Sequence, residues 1–251
     1  MTNKLVYFIA NWKMFGHLNS LKSLDKVIYF QKKNKNAKKL KIIYCPPFTL
    51  LDAFVRKLKK TKIKTGAQNC SFQSNYGPPT GSINAMMIKY LKCEYVILGH
   101  SEKRSKGEND KIINKKIFSA LKNNLKVIFC IGETSTQKRK KLTKKVLYNQ
   151  LNNGLKNIKN KKNIIIAYEP VWSIGSGLIP KIEDLIDTTE IIKIFLTSKM
   201  KFKNPKVLYG GSVNPKNISL LRKVTNLDGF LIGGSSQNSN KFIDIIKKTF
   251  N

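Results

Sequence analysis

The chain has 251 residues, and 41% of them are hydrophobic, which is enough for a sizeable core and excludes a chain that is disordered throughout. Its 48 lysines and arginines outnumber its 14 acidic residues and give a formal net charge of +34. That charge fits binding of nucleic acid or other anions, but it also fits a compositional bias, because lysine, asparagine and isoleucine are frequent along nearly every segment.

Short apolar runs recur about every thirty residues, and each has the length and the Val, Ile, Tyr or Phe content of a strand. The runs are Leu5–Ala10, Leu40–Cys45, Ile63–Ala67, Tyr95–Leu98, Val127–Ile131, Ile164–Tyr168, Val207–Tyr209 and Gly229–Ile232. In most of them apolar and polar residues do not alternate, which is typical of strands buried on both faces in a parallel sheet. The first run is also far too short to span a membrane, and no cleavage-type site follows it.

Amphipathic stretches lie between these runs. Four of them place apolar residues on one helical face, namely Asn19–Lys33, Asp110–Lys122, Ile182–Met200 and Asn240–Phe250. Alternating strands and helices predict a parallel sheet. Eight such units, in a chain of the usual barrel length of about 250 residues, predict an α/β fold, a closed (β/α)8 barrel that fills residues 1–251 as a single domain.

Segments rich in Gly, Ser and Asn follow the strands rather than the helices, and in a barrel the loops after the strands build the active site. Three of these loops carry glycine-rich sequences, IGSG after the sixth strand, YGGSV after the seventh and IGGSS after the eighth. Glycine lets backbone N–H groups approach an anion closely, although each glycine pair alone is also a turn signal. The three loops together predict a phosphate site, and Lys13, which follows the first strand next to Asn11, is a candidate anion anchor.

Glu169 and His100 are the main candidates for acid–base chemistry. Glu169 ends the apolar run IIIAYE, where a carboxylate is costly, so it is either a general base or part of a structural ion pair. His100 ends VILGH and is either an electrophile or acid–base group, or a hydrogen-bonded polar residue. Ser101 and Glu102 look like the start of a helix, whose N-terminus would keep the imidazole neutral. The other histidine, His17, is expected to be a surface residue.

The four cysteines are Cys45, Cys70, Cys93 and Cys130. No pair has CxxC or metal-ligand spacing, so no metal site is expected. A reduced, cytoplasmic setting is the default for such a chain.

Several motifs together resemble the triosephosphate isomerase family. They run along essentially the whole chain in the family's order and spacing, as ANWKM, CPPFTLL, GAQN, VILGHSE, CIGE, AYEPVW, YGGSV and IGGS. The resemblance implies a glycolytic and gluconeogenic isomerase that interconverts dihydroxyacetone phosphate and D-glyceraldehyde 3-phosphate through an enediolate. It further implies a cytoplasmic homodimer that needs no cofactor, because the reaction only moves protons.

The resemblance also implies roles for individual residues. Glu169 would take the proton from the carbon next to the substrate carbonyl, and neutral His100 would polarise the carbonyl oxygen and move protons between oxygens. Lys13 and Asn11 would contact the substrate, and Lys13 would also offset the charge of the enediolate and phosphate. The phosphate would be held by backbone N–H groups of Gly175, Ser212, Gly233 and Gly234.

A mobile lid over the site is implied as well. It would comprise Pro170, Val171, Trp172, Ser173, Ile174, Gly175, Ser176 and Gly177. Tyr209 and Ser212 would bond the lid when it is closed, and Glu133 would move with it. A lid suits this chemistry because an enediolate phosphate exposed to water would eliminate its phosphate.

The chain departs from the family pattern in the lid and near the expected subunit contact. The lid reads SIGSG where the family commonly reads AIGTG, which bears on lid kinetics. The family's TGE is TGS here, ending at Ser82, and its HSERR is HSEKR with Lys103, so the family's ion pair between that glutamate and arginine is absent. Thr80, expected to reach Asn11 of the partner subunit, is retained, so a homodimer is still predicted.

Two other functions fit parts of the sequence. The charge alone fits a basic barrel with an additional anion-binding or nucleic-acid-binding role, against which the intact Lys13, His100 and Glu169 argue. The glycine-rich loops also fit another phosphate-binding barrel enzyme, against which the AYEPVW motif argues. The expected partners are a small phosphorylated triose and a second copy of the chain, with no membrane and with nucleic acid bound only non-specifically.

Overall fold

A computed structural model describes residues 4–250 and contains a closed barrel of eight parallel strands, which confirms the predicted fold class. The strands are β1 (Val6–Asn11), β2 (Leu40–Cys45), β3 (Lys64–Ala67), β4 (Tyr95–Leu98), β5 (Lys126–Ile131), β6 (Ile164–Tyr168), β7 (Lys206–Tyr209) and β8 (Gly229–Ile232). Each strand pairs with the next along the chain, and β8 pairs with β1 so that Tyr7 lies opposite Gly229. All eight strands therefore end at the same rim, where the loops that follow them meet.

Ten α-helices lie within the described residues. They are α1 (Ser23–Lys33), α2 (Phe48–Leu58), α3 (Ala85–Tyr90), α4 (Ser101–Arg104), α5 (Asp110–Lys122), α6 (Ser135–Arg139), α7 (Thr143–Gly154), α8 (Ile182–Ser198), α9 (Ile218–Leu221) and α10 (Ser239–Phe250). None of the helices in residues 4–250 is long and apolar enough to cross a bilayer.

The core has two layers because neighbouring side chains on a strand point to opposite faces. In β5, Ile128 and Cys130 belong to the cluster inside the barrel, whereas Val127 and Phe129 pack against the surrounding helices. Both faces are therefore apolar, and this explains why the runs in the sequence lack polar alternation.

The four predicted helices are all present. The helix expected at Asn19–Lys33 begins as a 3-10 helix, Leu18–Lys22, and becomes α-helical only at Ser23. The α5 helix begins after Asn109, whose side chain accepts a hydrogen bond of 3.0 Å from the backbone N–H of Ile112. This cap satisfies one of the unpaired N–H groups of the first turn and explains why the predicted start at Asp110 is correct.

Candidate active site

Glu169 follows β6 directly and is buried. Its backbone N–H donates to the carbonyl of Ile131 at 2.8 Å, which continues the pairing of β6 with β5 beyond the strand. The adjacent Gly132 permits this close approach, because a Cβ there would lie 1.8 Å from the Glu169 carbonyl oxygen. The start of the loop after β6 is thus fixed against the end of β5, and the position of the Glu169 side chain follows from it.

The Glu169 carboxylate contacts the loop after β4. Its Oε1 lies 3.3 Å from Nε2 of His100, and its Oε2 accepts a hydrogen bond of 3.4 Å from the backbone N–H of Ser101. Burial raises the pKa of Glu169, and the opposing effects of His100, the Ser101 N–H and the Cys130 thiol do not cancel it. The carboxylate is consequently a stronger base than an exposed glutamate.

His100 is held by the helix that follows it. The α4 helix begins at Ser101, as the sequence predicts, and the backbone N–H of Glu102 donates a 3.2 Å hydrogen bond to Nδ1 of His100. Because Nδ1 accepts this bond it carries no proton, so the proton of a neutral ring resides on Nε2. The imidazole therefore presents an N–H group on the same side as the Glu169 carboxylate.

Lys13 lies beside the end of β1 in an unusual backbone conformation, with φ of 55°. Two side-chain contacts hold its backbone there. The Lys13 N–H donates to Oδ1 of Asn11 at 3.1 Å, and Nε2 of Gln68 donates to the Lys13 carbonyl at 2.8 Å. Its Nζ lies 2.6 Å from Oε1 of Glu102, so the cation is aimed at the loop that carries His100. Such strain in a non-glycine residue persists only where its surroundings fix it.

Gln68 and Glu102 also belong to the site, although the sequence alone gives them no role in it. Gln68 belongs to the GAQN segment after β3, and it also donates to the carbonyl of Cys45 at 2.9 Å, linking the loops after β1, β2 and β3. Glu102 contacts both Lys13 and His100. The position of Gln68 just after a strand was the available signal, whereas the Lys13–Glu102 contact joins residues 89 apart and has no local signature.

The glycine-rich loop after β8 lies next to Lys13, and the loop after β7 lies next to Glu169. A Cβ on Gly233 would lie 3.5 Å from Cε of Lys13, and Gly234 is exposed. Ser212 lies in the loop after β7, and its N–H donates to Oγ of Ser173 at 3.3 Å. Glycine is required at Gly211, since a Cβ there would lie 2.3 Å from the hydroxyl oxygen of Tyr209. The two loops thus lie beside the cation of Lys13 and the carboxylate of Glu169.

The predicted lid, residues 170–177, is anchored at its base. Nε1 of Trp172 donates to Oε1 of Glu133 at 2.9 Å, and Oγ of Ser173 lies 2.8 Å from the Tyr209 hydroxyl. The tip is exposed, and Gly175 and Gly177 have φ of 70° and 79°. A Cβ on either would meet no described atom within 4 Å, so these glycines are needed for backbone conformation rather than space.

The remaining predicted positions lie outside this cluster. Thr80 is exposed in the loop after β3. His17, expected at the surface, is exposed and precedes the 3-10 helix at Leu18. Lys103 has no ion pair among the described residues, whereas its neighbour Arg104 pairs with Asp110 at 2.6 Å. The structure thus brings Asn11, Lys13, His100, Glu169 and the glycine-rich loops to one end of the barrel.

Comparisons with known proteins agree with this arrangement. A family model described as triosephosphate isomerase matches residues 6–249. The chain is 38% identical over 244 residues to a triosephosphate isomerase of Dictyoglomus turgidum, covering 95% of this chain and 97% of the relative. It is 39% identical over 245 residues to that of Saccharomyces cerevisiae, covering 96% and 97%. A crystal structure of triosephosphate isomerase from Bartonella henselae superposes with a TM-score of 0.89 at 32% identity, covering 98% of this chain and 99% of the other.

Proposed function

The chain belongs to the triosephosphate isomerase family, and from the geometry of its site we propose how it interconverts dihydroxyacetone phosphate and D-glyceraldehyde 3-phosphate. This aldose–ketose isomerisation moves a proton between two neighbouring carbons. The observation that carries the proposal is the buried Glu169 carboxylate, 3.3 Å from an imidazole N–H group and beside loops suited to a phosphate. None of the relatives described above has a name that points to nucleic-acid binding.

The substrate is fixed by its phosphate. Backbone N–H groups of Gly233 and Gly234 bind the phosphate oxygens. Those of Gly175 and Ser212 join them when the lid moves, because the Ser212 N–H must first leave Oγ of Ser173. Lys13, whose Cε lies next to Gly233, offsets the negative charge. Binding at this end leaves the carbonyl and its neighbouring carbon facing Glu169 and His100.

Glu169 then removes a proton from the carbon beside the carbonyl. The electrons of the broken C–H bond form the carbon–carbon double bond of an enediolate, and the carbonyl electrons move onto its oxygen. Nε2–H of His100 donates a hydrogen bond to that oxygen as its charge develops. This donor suits the step because the bond from the Glu102 N–H to Nδ1 already fixes the ring with its Nε2–H towards the site.

The proton is returned at the neighbouring carbon. His100 moves a proton between the two enediolate oxygens, and protonated Glu169 delivers its proton to the other carbon, which regenerates the carboxylate. Lid closure excludes water during this interval, when the enediolate phosphate is prone to eliminate. The exposed tip around Gly175 is the segment that would have to move.

The proposed setting is the cytoplasm, as a homodimer acting in glycolysis and gluconeogenesis. The buried cysteines, which form no disulfide among residues 4–250, support a reducing compartment. Exposed apolar side chains on the loops after β1 and β3 support a subunit contact that includes Thr80; they are Met14, Phe15, Phe72 and Tyr76. Completion of each site by the partner subunit would follow from this contact.

A coupled assay of triose phosphate turnover with Glu169→Asp tests the base assignment. Shortening the side chain withdraws the carboxylate by about one C–C bond, and a misplacement of roughly 1 Å costs about 100-fold or more in turnover. Glu190→Asp, the same change at an exposed position on α8, is the matched control and should stay within about two-fold of wild type. Near-normal turnover of Glu169→Asp would reject Glu169 as the base, whereas an inactive wild-type enzyme would reject the reaction itself.

A further inference from the structure

A second cavity lies at the opposite end of the barrel from Glu169. It has a volume of about 670 Å³ and is lined by residues 159–165 and 201–204 and by the first residues of β5 and β7. These positions precede the strands, whereas the active-site residues follow them. The volume lies within the range of roughly 300–1,000 Å³ that small-molecule sites occupy.

The lining of this cavity is strongly basic. Seven of its fifteen lining residues are lysines, and none of the fifteen is acidic, so the cavity carries a net positive charge. Four of the seven are exposed and have no acidic partner within the described part of the chain; they are Lys159, Lys162, Lys201 and Lys203. Nothing in residues 4–250 neutralises these four cations, so they repel one another in the free protein.

The other lysines at this end share too few acidic groups. Lys126 is 3.9 Å from Glu94, which lies closer to Lys64, at 2.6 Å. Lys206 is 3.6 Å from Asp228, which lies closer to Lys193, at 2.9 Å, and to Lys4, at 3.1 Å. The two carboxylates are therefore already engaged, and an anion entering the cavity would meet unneutralised charge.

The interior of the cavity also offers a polar group. The Tyr95 side chain lines it and is only 2% exposed, yet its hydroxyl has no hydrogen-bond partner among the described residues. Burial raises the pKa of Tyr95, so the hydroxyl keeps its proton and remains a donor. Lys126 Nζ lies 5.3 Å from the centre of the same ring. The hydroxyl oxygen is not fully buried and reaches the cavity, where it is a donor for an oxygen-rich ligand.

We propose that this cavity binds a compact polyphosphate anion, either inorganic tripolyphosphate or the phosphate chain of a nucleoside triphosphate. Lysine is a point-charge donor suited to phosphate oxygens. Several lysines converging on one cavity match a ligand with several neighbouring charges better than a single phosphate. A nucleic-acid strand would instead need an open basic groove with stacking platforms along it.

Isothermal titration calorimetry with tripolyphosphate tests the proposal. The titration is run near physiological salt, with a saturating equilibrium mixture of the two triose phosphates occupying the active site. We expect one site per chain, and the double variant Lys162→Gln/Lys203→Gln should weaken binding by about 10-fold or more because it removes two unpaired cations. The matched control, Lys140→Gln/Lys145→Gln, removes the same charge from exposed positions outside the cavity and should change affinity by less than about two-fold.

The variant Tyr95→Phe distinguishes a defined binding site from nonspecific electrostatic attraction. It keeps the net charge and should weaken binding several-fold through the lost donor, while turnover in the coupled assay stays at the wild-type level. Equal weakening by the two lysine pairs, no effect of Tyr95→Phe, or no saturable binding would each overturn the proposal. ATP in place of tripolyphosphate distinguishes the source, since tighter binding of ATP means that the nucleoside is bound as well. Failure here leaves turnover intact, so it is distinguishable from failure of the proposed isomerase mechanism.

Discussion

Nε2 of His100 lies 3.3 Å from Oε1 of Glu169, while Nδ1 of the same ring accepts a hydrogen bond from the backbone N–H of Glu102. The backbone of α4 therefore orients the imidazole through Nδ1, and the Nε2 side of the ring faces the Glu169 carboxylate. The carboxylate is buried, and its contacts are the His100 imidazole and the backbone N–H of Ser101. A base kept in this way is unfavourable for folding and favourable for proton abstraction.

The first prediction concerns the cost to folding of burying the Glu169 carboxylate. The folded pKa of Glu169 is raised above the ordinary value of 4.5, mainly by burial, so the unfolded chain loses this proton first as pH rises. Ionisation of Glu169 thus lowers stability above pH 4.5, and the loss is complete above the folded pKa. We expect Glu169→Gln to be more stable than wild type at pH 7.5, by a few degrees in Tm.

Thermal melts of Glu169→Gln and wild type at pH 7.5 and near pH 4 check this expectation. The difference should nearly vanish at the lower pH, where both folded and unfolded chains are largely protonated at this position. Glu190→Gln, at an exposed site, controls for the change in net charge. A Glu169→Gln protein with a Tm at or below the wild-type value at pH 7.5 would contradict the prediction.

The second prediction concerns the lid. Gly177 has φ of 79° and open space at its Cβ position, so Gly177→Ala should cost about 1 kcal/mol by strain without a clash. The strain falls on a segment that must move, and we expect turnover to drop several-fold. Gly107 has φ of 95° and equally open surroundings, but it lies between α4 and α5.

Gly107→Ala is therefore the matched control for Gly177→Ala. Both variants should lose similar stability in urea denaturation, and only Gly177→Ala should lose turnover. If the two lose turnover equally, the lid assignment of Gly177 fails and the effect is one of general stability.

Much of the barrel could be predicted from local sequence. The predicted limits of β2, β4, β6 and β8 are correct because these runs are mostly apolar and are followed by proline, glycine or a charged residue, and those of α5 are correct because Asn109 caps it. The start of α1 was wrong because amphipathic spacing does not distinguish a 3-10 turn from the first α-helical turn. The α2 helix was missed although it buries Leu50, Leu51, Phe54 and Leu58 at helical spacing.

The active site likewise contains residues that the sequence identifies and contacts that it does not. Glu169 and His100 could be singled out because a charged or titratable residue at the end of an apolar strand is unusual. The contacts that position them could not, because they join segments brought together only by barrel closure. Ser101 reaches Glu169 across 68 residues, and Lys13 reaches Glu102 across 89. Sequence therefore identified the reacting groups but not the groups that orient them.

The third prediction concerns Asp228, which is buried where β8 begins. Its carboxylate accepts a 3.0 Å hydrogen bond from the Val207 N–H and lies 2.9 Å from Lys193 Nζ and 3.1 Å from Lys4 Nζ. Burial alone would raise the pKa of Asp228, but Lys193 and the Val207 N–H outweigh it and lower the pKa below 3.8. The stabilisation is thus present above about pH 3.8 and is lost as pH falls through the folded pKa.

Asp228→Asn should destabilise the protein at pH 7 by about 2 kcal/mol, since it removes the buried carboxylate that accepts from the Val207 N–H and pairs with partly exposed Lys193 and Lys4. Urea denaturation measures this loss. Asp52→Asn, which removes an exposed ion pair with Arg56 on α2, should cost less than about 1 kcal/mol. Equal losses in the two variants would mean that Asp228 contributes no more than a surface pair.

The last prediction concerns the proposed homodimer. Two chains with a formal charge of +34 each repel one another, and the chain lacks the family's Glu–Arg pair because Ser82 and Lys103 replace it. Raising the salt from about 20 mM to about 300 mM shortens the screening length from roughly 20 Å to roughly 6 Å. We expect the dimer fraction in light scattering to rise with salt, because screening weakens the repulsion while the apolar contact through Met14, Phe15 and Phe72 remains.

If Asn11 and Lys13 depend on the partner subunit's Thr80, turnover per chain at low salt should fall on dilution in step with the dimer fraction. A chain that stays monomeric and fully active at every salt concentration would contradict both the dimer and the completion of the site by its partner.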